Sequence, residues 1–364
     1  MEKRIERLFD RTPNKQMTTE EVIKEFQQHE IAHNGLQVTI DYLEFTLFVD
    51  RSEDADITGR EIEAIEDVLQ LDSDQFLALP SGMNGYPKRL KWTPTSLFVL
   101  YGAGARQGVH ITMSGNACRT YVSTVGDLLL LMLRIDAVKG KITRIDLAVD
   151  DLETQYYSIA ELVQAYEKHE IVTRWKSLEQ QYKSDIESQI NIKECLYFGS
   201  MKSDCFLRVY NKTLEQMNKE QRPIAEIAAA ENVWTRWELV LRRDAAQSVL
   251  RLVMGNMPLG EIWCGIMANY FRVTVACEDS NHRRWETQEK WARFVGAALP
   301  LSIKSYPETR DISTLKLWLS SQVMPSLAAV MEDEGSLEWI AQNILNAVDR
   351  INPYYRSLID KKRE

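Results

Sequence analysis

Two hydrophobic periods divide the chain. Residues 1 to 35 are polar and read as helical, with Thr18-Thr19-Glu20-Glu21 offering a capped start to a face of Val22, Ile23 and Phe26. From Gln37 to Asp50 the spacing drops to two. Val38 and Ile40, then Leu43, Phe45, Leu47 and Val49, alternate with Glu44, Thr46, Phe48 and Asp50, which predicts a strand. Residues 59 to 70 return to helical spacing through Ile62, Ile65, Val68 and Leu69, and Gly82 to Pro87 reads as a turn. Short strands are expected at 88–92, 96–101 and 109–114, then a leucine-rich helix at 124–136 buried against a sheet, a strand at 141–151 and a helix near 158–168. After a polar connection, 194–212 reads as a hairpin, an alanine-rich helical stretch follows, and Val233 to Arg243 forms a further strand.

Three of these strands repeat one pattern. Successive side chains of a strand point to opposite faces, so Arg144, Asp146, Ala148 and Asp150 share one side, opposite Ile145, Leu147 and Val149. In the second arm of the hairpin Arg208, Tyr210 and Lys212 line up against Leu207 and Val209. In the last strand Arg236, Glu238, Val240 and Arg242 oppose Trp237, Leu239 and Leu241. Strands with one apolar and one charged face belong to a sheet packed on helices from one side only. The predicted fold is therefore α+β: a curved, mostly antiparallel sheet with one polar side, helices on the other, and a helical C-terminal region. Placed side by side, the three open faces would gather carboxylates and cations that must pair or hold an ion. Such carboxylates suit Mg²⁺ or Mn²⁺, and a salt-bridged polar face without chemistry satisfies the same pattern. A phenol between Arg208 and Lys212 would have its pKa lowered and would stand where an incoming phosphate is neutralised, the dressing of a nucleophile for phosphodiesters.

Composition narrows the function. The 364 residues suffice for two domains, and 45% hydrophobic with 27% charged residues is ordinary for a globular protein. No apolar run is long enough to span a bilayer and the start lacks the apolar core of a signal peptide, so a cytoplasmic, membrane-free protein is expected. Five cysteines at 118, 195, 205, 264 and 277 contain no CxxC pair and fit a reducing compartment. The net charge of -9 argues against a simple electrostatic DNA binder, although residues 53 to 74 alone carry nine carboxylates against Arg60. Two basic clusters with aromatics interleaved stand against that acidity. They are Lys88, Arg89, Lys91 and Trp92, and His282, Arg283, Arg284 and Trp285, a combination that holds phosphates and stacks bases.

The blocks Thr143 to Asp151, Tyr197-Phe-Gly-Ser200, Phe206 to Glu215 and Trp234 to Asp244, in that order and spacing, resemble the replication initiation factor family, which includes rolling-circle plasmid initiators, phage proteins and conjugative-transposon relaxases. The resemblance spans roughly 36–300 and extends to Gly108 to Arg119. It implies a metal-dependent, site-specific nicking and rejoining of origin DNA through a 5′-phosphotyrosine. Tyr210 takes the nucleophile's position, with Arg208 and Lys212 on the scissile phosphate or phenolate. The divalent ion (Mg or Mn) would fall first to Asp146 and Glu238, and second to Asp150 or Glu215. Tyr197 is the competing nucleophile. DNA contacts are expected at Arg144, Arg236 and Arg242 and at the two basic clusters, on single-stranded or supercoiled origin DNA, with a host helicase and a homodimer as further partners. The implied division is an N-terminal helical extension at 1–35, a nicking domain at 36–245 and a mainly helical region at 246–364 for origin choice, partner or dimer contacts. That last region is expected to end in helices over Ile312 to Met331 and Leu337 to Val348. A non-catalytic DNA-binding regulator of the same fold and a metal-dependent hydrolytic nuclease remain open as alternatives.

Overall fold

The strands read from alternation all enter one sheet. The computed structural model describes residues 36, 38–48, 57–93, 95–103, 107–231, 234–255, 257–296 and 324–348. Ten strands, β1 (Val38–Leu47), β2 (Phe76–Leu79), β3 (Lys88–Trp92), β4 (Leu97–Tyr101), β5 (Val109–Ser114), β6 (Lys141–Leu152), β8 (Leu178–Ser184), β9 (Asn191–Phe198), β10 (Cys205–Asn211) and β11 (Trp234–Arg242), form a sheet in the order β2-β3-β4-β5-β1-β6-β11-β10-β9-β8. Every neighbouring pair is antiparallel. A separate ribbon pairs β7 (Ile171–Thr173) with β12 (Phe271–Val273). The stretch read as a polar connection after 168 thus contains β7 and β8. Its side chains from Leu178 to Ser184 are half-buried or exposed, so an edge strand of this kind carries little hydrophobic alternation to find.

The inner face of the sheet holds the core. Leu43, Phe45, Ile145, Leu147, Val149, Leu207, Val209, Trp237, Leu239 and Leu241 are buried there, each contributing about 1.5–3 kcal/mol by burial. The helices α1 (Ile57–Leu69), α2 (Gly115–Thr124), α3 (Leu128–Ala137), α4 (Ile159–Glu167), α5 (Lys212–Lys219), α6 (Ile224–Ala229), α7 (Arg243–Met254), α8 (Leu259–Tyr270) and α9 (Glu289–Phe294) complete this unit. Of these, α3, α7 and α8 pack on β1, β6 or β11, and α4 packs on β9 and β10. Trp237 is the aromatic centre of that layer: its ring lies 4.9 Å from Phe294, 5.8 Å from Trp291 and 6.2 Å from both Phe271 and Tyr157, centre to centre.

Those partners move the domain boundary. Phe271, Trp291 and Phe294 belong to the same core as the sheet, and the chain divides into compact units after Lys304 rather than near residue 245. The resemblance weakens after residue 245, and it is tertiary packing, with Ala246, Val249, Val253, Ile262, Trp263 and Ile266 buried, that assigns α7 and α8 to the sheet. The second unit contains α10 (Met324–Glu334) and α11 (Glu338–Ala347), which touch each other. The helix expected in residues 1–35 lies outside the described residues, as does the part of the Ile312 helix before Met324.

Two adjacent carboxylates end β6 and serve opposite faces. Asp150 points to the open side, whereas Asp151 is fully buried and accepts the backbone N–H groups of Gln155 at 2.9 Å, Tyr156 at 3.0 Å and Tyr157 at 3.3 Å. It closes the turn that leads to α4, whose own start is a capping box of Ser158 and Glu161. Replacing Asp151 by Ala strands those donors and is expected to lower stability by about 2–4 kcal/mol, read as a fall in the urea midpoint with the slope unchanged.

Candidate active site

Because β6, β11 and β10 are neighbours, the three charged faces meet on one open surface. Register then decides the partners. Glu238 lies opposite Arg208 and Arg236 opposite Tyr210; on the other side Arg236 faces Asp150 and Arg242 faces Arg144, while Asp146 faces Tyr42 of β1. Opposed side chains start about 5 Å apart, so Glu238 and Asp150 meet their arginines across the strands, whereas Asp146 takes Arg144 from its own strand two residues away.

Tyr210 stands at the centre of the best-connected group. Its hydroxyl donates to Oε2 of Glu238 at 3.2 Å, and Arg208 grips Oε1 of the same carboxylate. The Arg208 guanidinium lies 5.1 Å from the centre of the Tyr210 ring and Lys212 Nζ lies 5.4 Å from it. Lys212 arrives there by a different route from the one its sequence position suggests. The strand ends at Asn211, whose side chain caps α5 by accepting from Leu214, and Lys212 is the first residue of that helix. It is nonetheless buried, and it pairs with Glu215, which also binds Lys219 at 2.8 Å.

Two more forks flank this group. Arg144 donates to both oxygens of Asp146, at 2.8 and 2.6 Å, and Arg236 to both oxygens of Asp150, at 2.6 and 2.7 Å. Sequence reasoning missed three supports of these forks. Trp234 donates its indole N–H to Asp150 at 2.6 Å, and Asp41 lies 2.9 Å from Arg236 Nη1, an ion pair without hydrogen-bond alignment. Asp41 reaches it because β1 is irregular between Ile40 and Tyr42, and Gly115 leaves room: a side chain there would collide with Asp41. The third is Tyr42, stacked 4.1 Å from the Arg144 guanidinium. A bulge breaks the period-two rule, so alternation alone could not have placed Asp41.

The expected lowering of the Tyr210 pKa is reversed. Tyr210 is only 8% exposed and sits in an apolar island with Cys195, Tyr197, Phe206 and Val240. Burial drives its pKa well above the usual phenol range, the Glu238 carboxylate pushes the same way, and the pull of Arg236 and Arg208 does not compensate. The resting side chain is a neutral phenol held on an acceptor. Tyr197, opposite Arg208 across the β9–β10 pair, is likewise pushed up to about 12 by burial. Burial also raises the Asp146 carboxyl to about 7, against the fork from Arg144 and with help from Glu238. Lys212 is lowered, chiefly by burial, and Glu215 lies below the usual range, held there by Lys212 and Lys219.

The carboxylates proposed for a metal do not form an open donor set. Asp146, Asp150, Glu238 and Glu215 each hold an arginine or lysine, and among the described residues no three His, Cys, Asp or Glu side chains converge as ion ligands. The basic clusters are not gathered at Tyr210 either. Lys88, Arg89 and Lys91 lie on β3, with five strands between β3 and β10. There Arg89 covers the Phe98 ring at 5.6 Å and Lys88 the Tyr101 ring at 5.4 Å. Arg283 lines a separate cavity of about 540 Å³ with Arg174, Lys176 and Arg272, and Arg284 pairs with Asp279 at 3.7 Å. Arg242, beside Arg144, covers Phe206 at 5.4 Å.

Comparison with known proteins places this surface in context. The chain is 29% identical over 326 residues, 87% of its length and 86% of the relative's, to a Bacillus subtilis (strain 168) protein named "Putative DNA relaxase NicK". It superposes with a TM-score of 0.62 and 29% identity on the structure of a rolling circle replication initiator protein from Geobacillus stearothermophilus, covering 74% of this chain and 99% of that one. Residues 37–127 match the model for the rolling circle replication initiation protein N-terminal domain. Residues 140–346, which contain β6, β10, β11 and the Tyr210 group, match the model of the replication initiation factor family, and the chain belongs to that family.

Proposed function

We propose that the protein nicks and rejoins one strand of origin DNA through a phosphotyrosine at Tyr210. The observation that carries this reading is the hydrogen bond from the Tyr210 hydroxyl to Glu238 beneath the Arg208 guanidinium, on the open face of a family member. A phenol raised by burial is a poor nucleophile at rest, so it must lose its proton as it attacks. Glu238 is the base within reach, 3.2 Å away. As the phenol oxygen bonds to phosphorus, the 3′ oxygen leaves with a proton from solvent and the 5′ phosphate stays on Tyr210. The ester conserves the energy of the broken bond, and attack by the 3′ hydroxyl reverses the step. Arg208 and Lys212, already against the ring, are the cations placed to meet the phosphate charge.

The relative named as a relaxase and the solved initiator support DNA as the substrate. The nucleophile lies on the open sheet face and needs an unpaired strand there, which favours single-stranded or supercoiled DNA. Dependence on Mg²⁺ or Mn²⁺ stays a proposal of the resemblance. Asp146 and Glu238 are the residues that would take the ion, after exchanging their arginines.

Two outcomes test the reading, and a third tests the state of Asp146. Tyr210→Phe leaves the Arg208–Glu238 pair in place, so the protein should fold, yet nicking of a supercoiled plasmid bearing its cognate origin should fall on the order of 10³-fold or more. The protein–DNA band seen on a denaturing gel should vanish with it. Cleavage that persists in that variant, with no covalent band, would assign the reaction to hydrolysis by water. Glu238→Gln should slow nicking by roughly 10²–10⁴-fold. Asp146 gives a pH signature in stability. Its folded pKa of about 7 exceeds the unfolded value, so its contribution is complete below about pH 4 and is lost as pH rises through 7. Asp146→Asn should flatten unfolding free energy against pH across that window.

A further inference from the structure

A cavity of about 430 Å³ opens beside Tyr210 on the side away from β11, between β8, β9 and α5. Its floor is buried: Cys195, Tyr197, Tyr210 and Asn211. Its rim is exposed and basic, with Lys183, Lys193 and Lys219. Lys183 and Lys193 are direct cross-strand partners, a like-charged pair that is unfavourable without an anion between the two. Neither forms an ion pair among the described residues; Lys193 donates only to the neutral Gln181 side chain, at 2.8 Å. The lining also carries two carboxylates. Glu215 is neutralised by Lys212 and Lys219, and Glu194 is held by the amides of Asn211 at 3.0 Å and Asn191 at 3.3 Å. Glu194 repels a phosphate from the interior and leaves the rim as the place for one.

The cavity volume falls in the range of small-ligand sites; its floor is mainly Cys195 and two tyrosine rings, with the Asn211 amide and the Glu238-paired Arg208 also in the lining, and its edge is cationic. That division matches a nucleotide, which has a flat apolar base at one end and a phosphate at the other. Resting on the reading of Tyr210 as the nucleophile, we propose that this cavity takes one unstacked nucleotide of single-stranded DNA next to the scissile phosphate. The base lies against Tyr197 and Cys195, and its phosphate bridges Lys183 and Lys193. A strand anchored there runs directly past the Tyr210 hydroxyl, so the cavity sets which phosphate the phenol meets. Duplex DNA cannot enter it, because a stacked and paired base cannot turn into the sheet.

The test uses the full-length chain and two fluorescein-labelled probes, dT12 and a 12-residue strand of abasic deoxyribose phosphates. Wild type should bind dT12 roughly tenfold tighter than the abasic strand, and Tyr197→Ala should reduce that ratio toward one. In the Lys183→Ala/Lys193→Ala protein, the slope of log affinity for dT12 against log salt should become shallower by about 0.7 for each phosphate that is no longer neutralised. These two lysines are exposed, so the double variant should keep its fold, and a slope is not changed by a structural role. Equal binding of both probes by wild type, or an unchanged slope in the lysine variant, overturns the proposal. The Tyr210 reading fails separately. If it is wrong, wild type gives no covalent adduct on its cognate plasmid, or Tyr210→Phe still gives one, whatever the binding data show; if only the cavity is misassigned, the adduct forms at the wild-type rate in the lysine variant.

Discussion

The pairing register of β6, β11 and β10 is the constraint on which everything else depends. With a side-chain period of two, one register fixes both faces at once: Trp237, Leu239 and Leu147 go into the core as Glu238, Arg236 and Asp146 go to the open side. A slip of one residue would bury the charges and expose the aromatics. The aromatic cluster around Trp237 therefore holds the Tyr210 group in place from behind. Core and site are two readings of the same hydrogen-bond ladder.

On the open face the chemistry is one of restraint. The arginines do not activate Tyr210 in the resting protein; they close the carboxylates, and burial keeps the phenol protonated. A buried charge left unpaired is expensive, so Asp146, Asp150, Glu238 and Glu215 on this surface each meet a cation. Under the proposed reading, the nucleophile is positioned before it is ionised. In that reading the proposed proton acceptor already holds the hydroxyl and the proposed phosphate-neutralising cations already lie over the ring, which would reduce the reorganisation needed when DNA arrives. The acidic balance of the chain becomes less of a difficulty for a DNA-processing protein, since cations act at the spots where register places them and not through the net charge.

The three amphipathic strands were legible in the sequence because alternation is a local property of a half-buried strand, and so were Arg208, Tyr210, Glu238, Asp146 and Asp150 as open-face residues. Edge strand β8 was not, since neither of its faces is deeply buried. Asp41 was hidden by a bulge, and Asp150 could be told from the structural Asp151 only through the strand's alternation. The position of Lys212 was wrong in kind and right in place: Asn211 turns the chain into a helix, yet the first helical turn still brings the ammonium to the Tyr210 ring.

By itself the sequence determined the type of most elements, the two-faced sheet and the charged residues of its three open faces, because these follow from spacing along one segment. The tertiary structure alone decided which strands are neighbours, where the domain ends and what state the phenol is in. Each of those depends on atoms far apart in sequence: the core partners of Trp237 from residues 271 to 294, the carboxylate of Glu238 beside Tyr210, and the burial of both. Flanking cations in a sequence suggest an ionised tyrosine. Desolvation, which no local pattern reports, outweighs them.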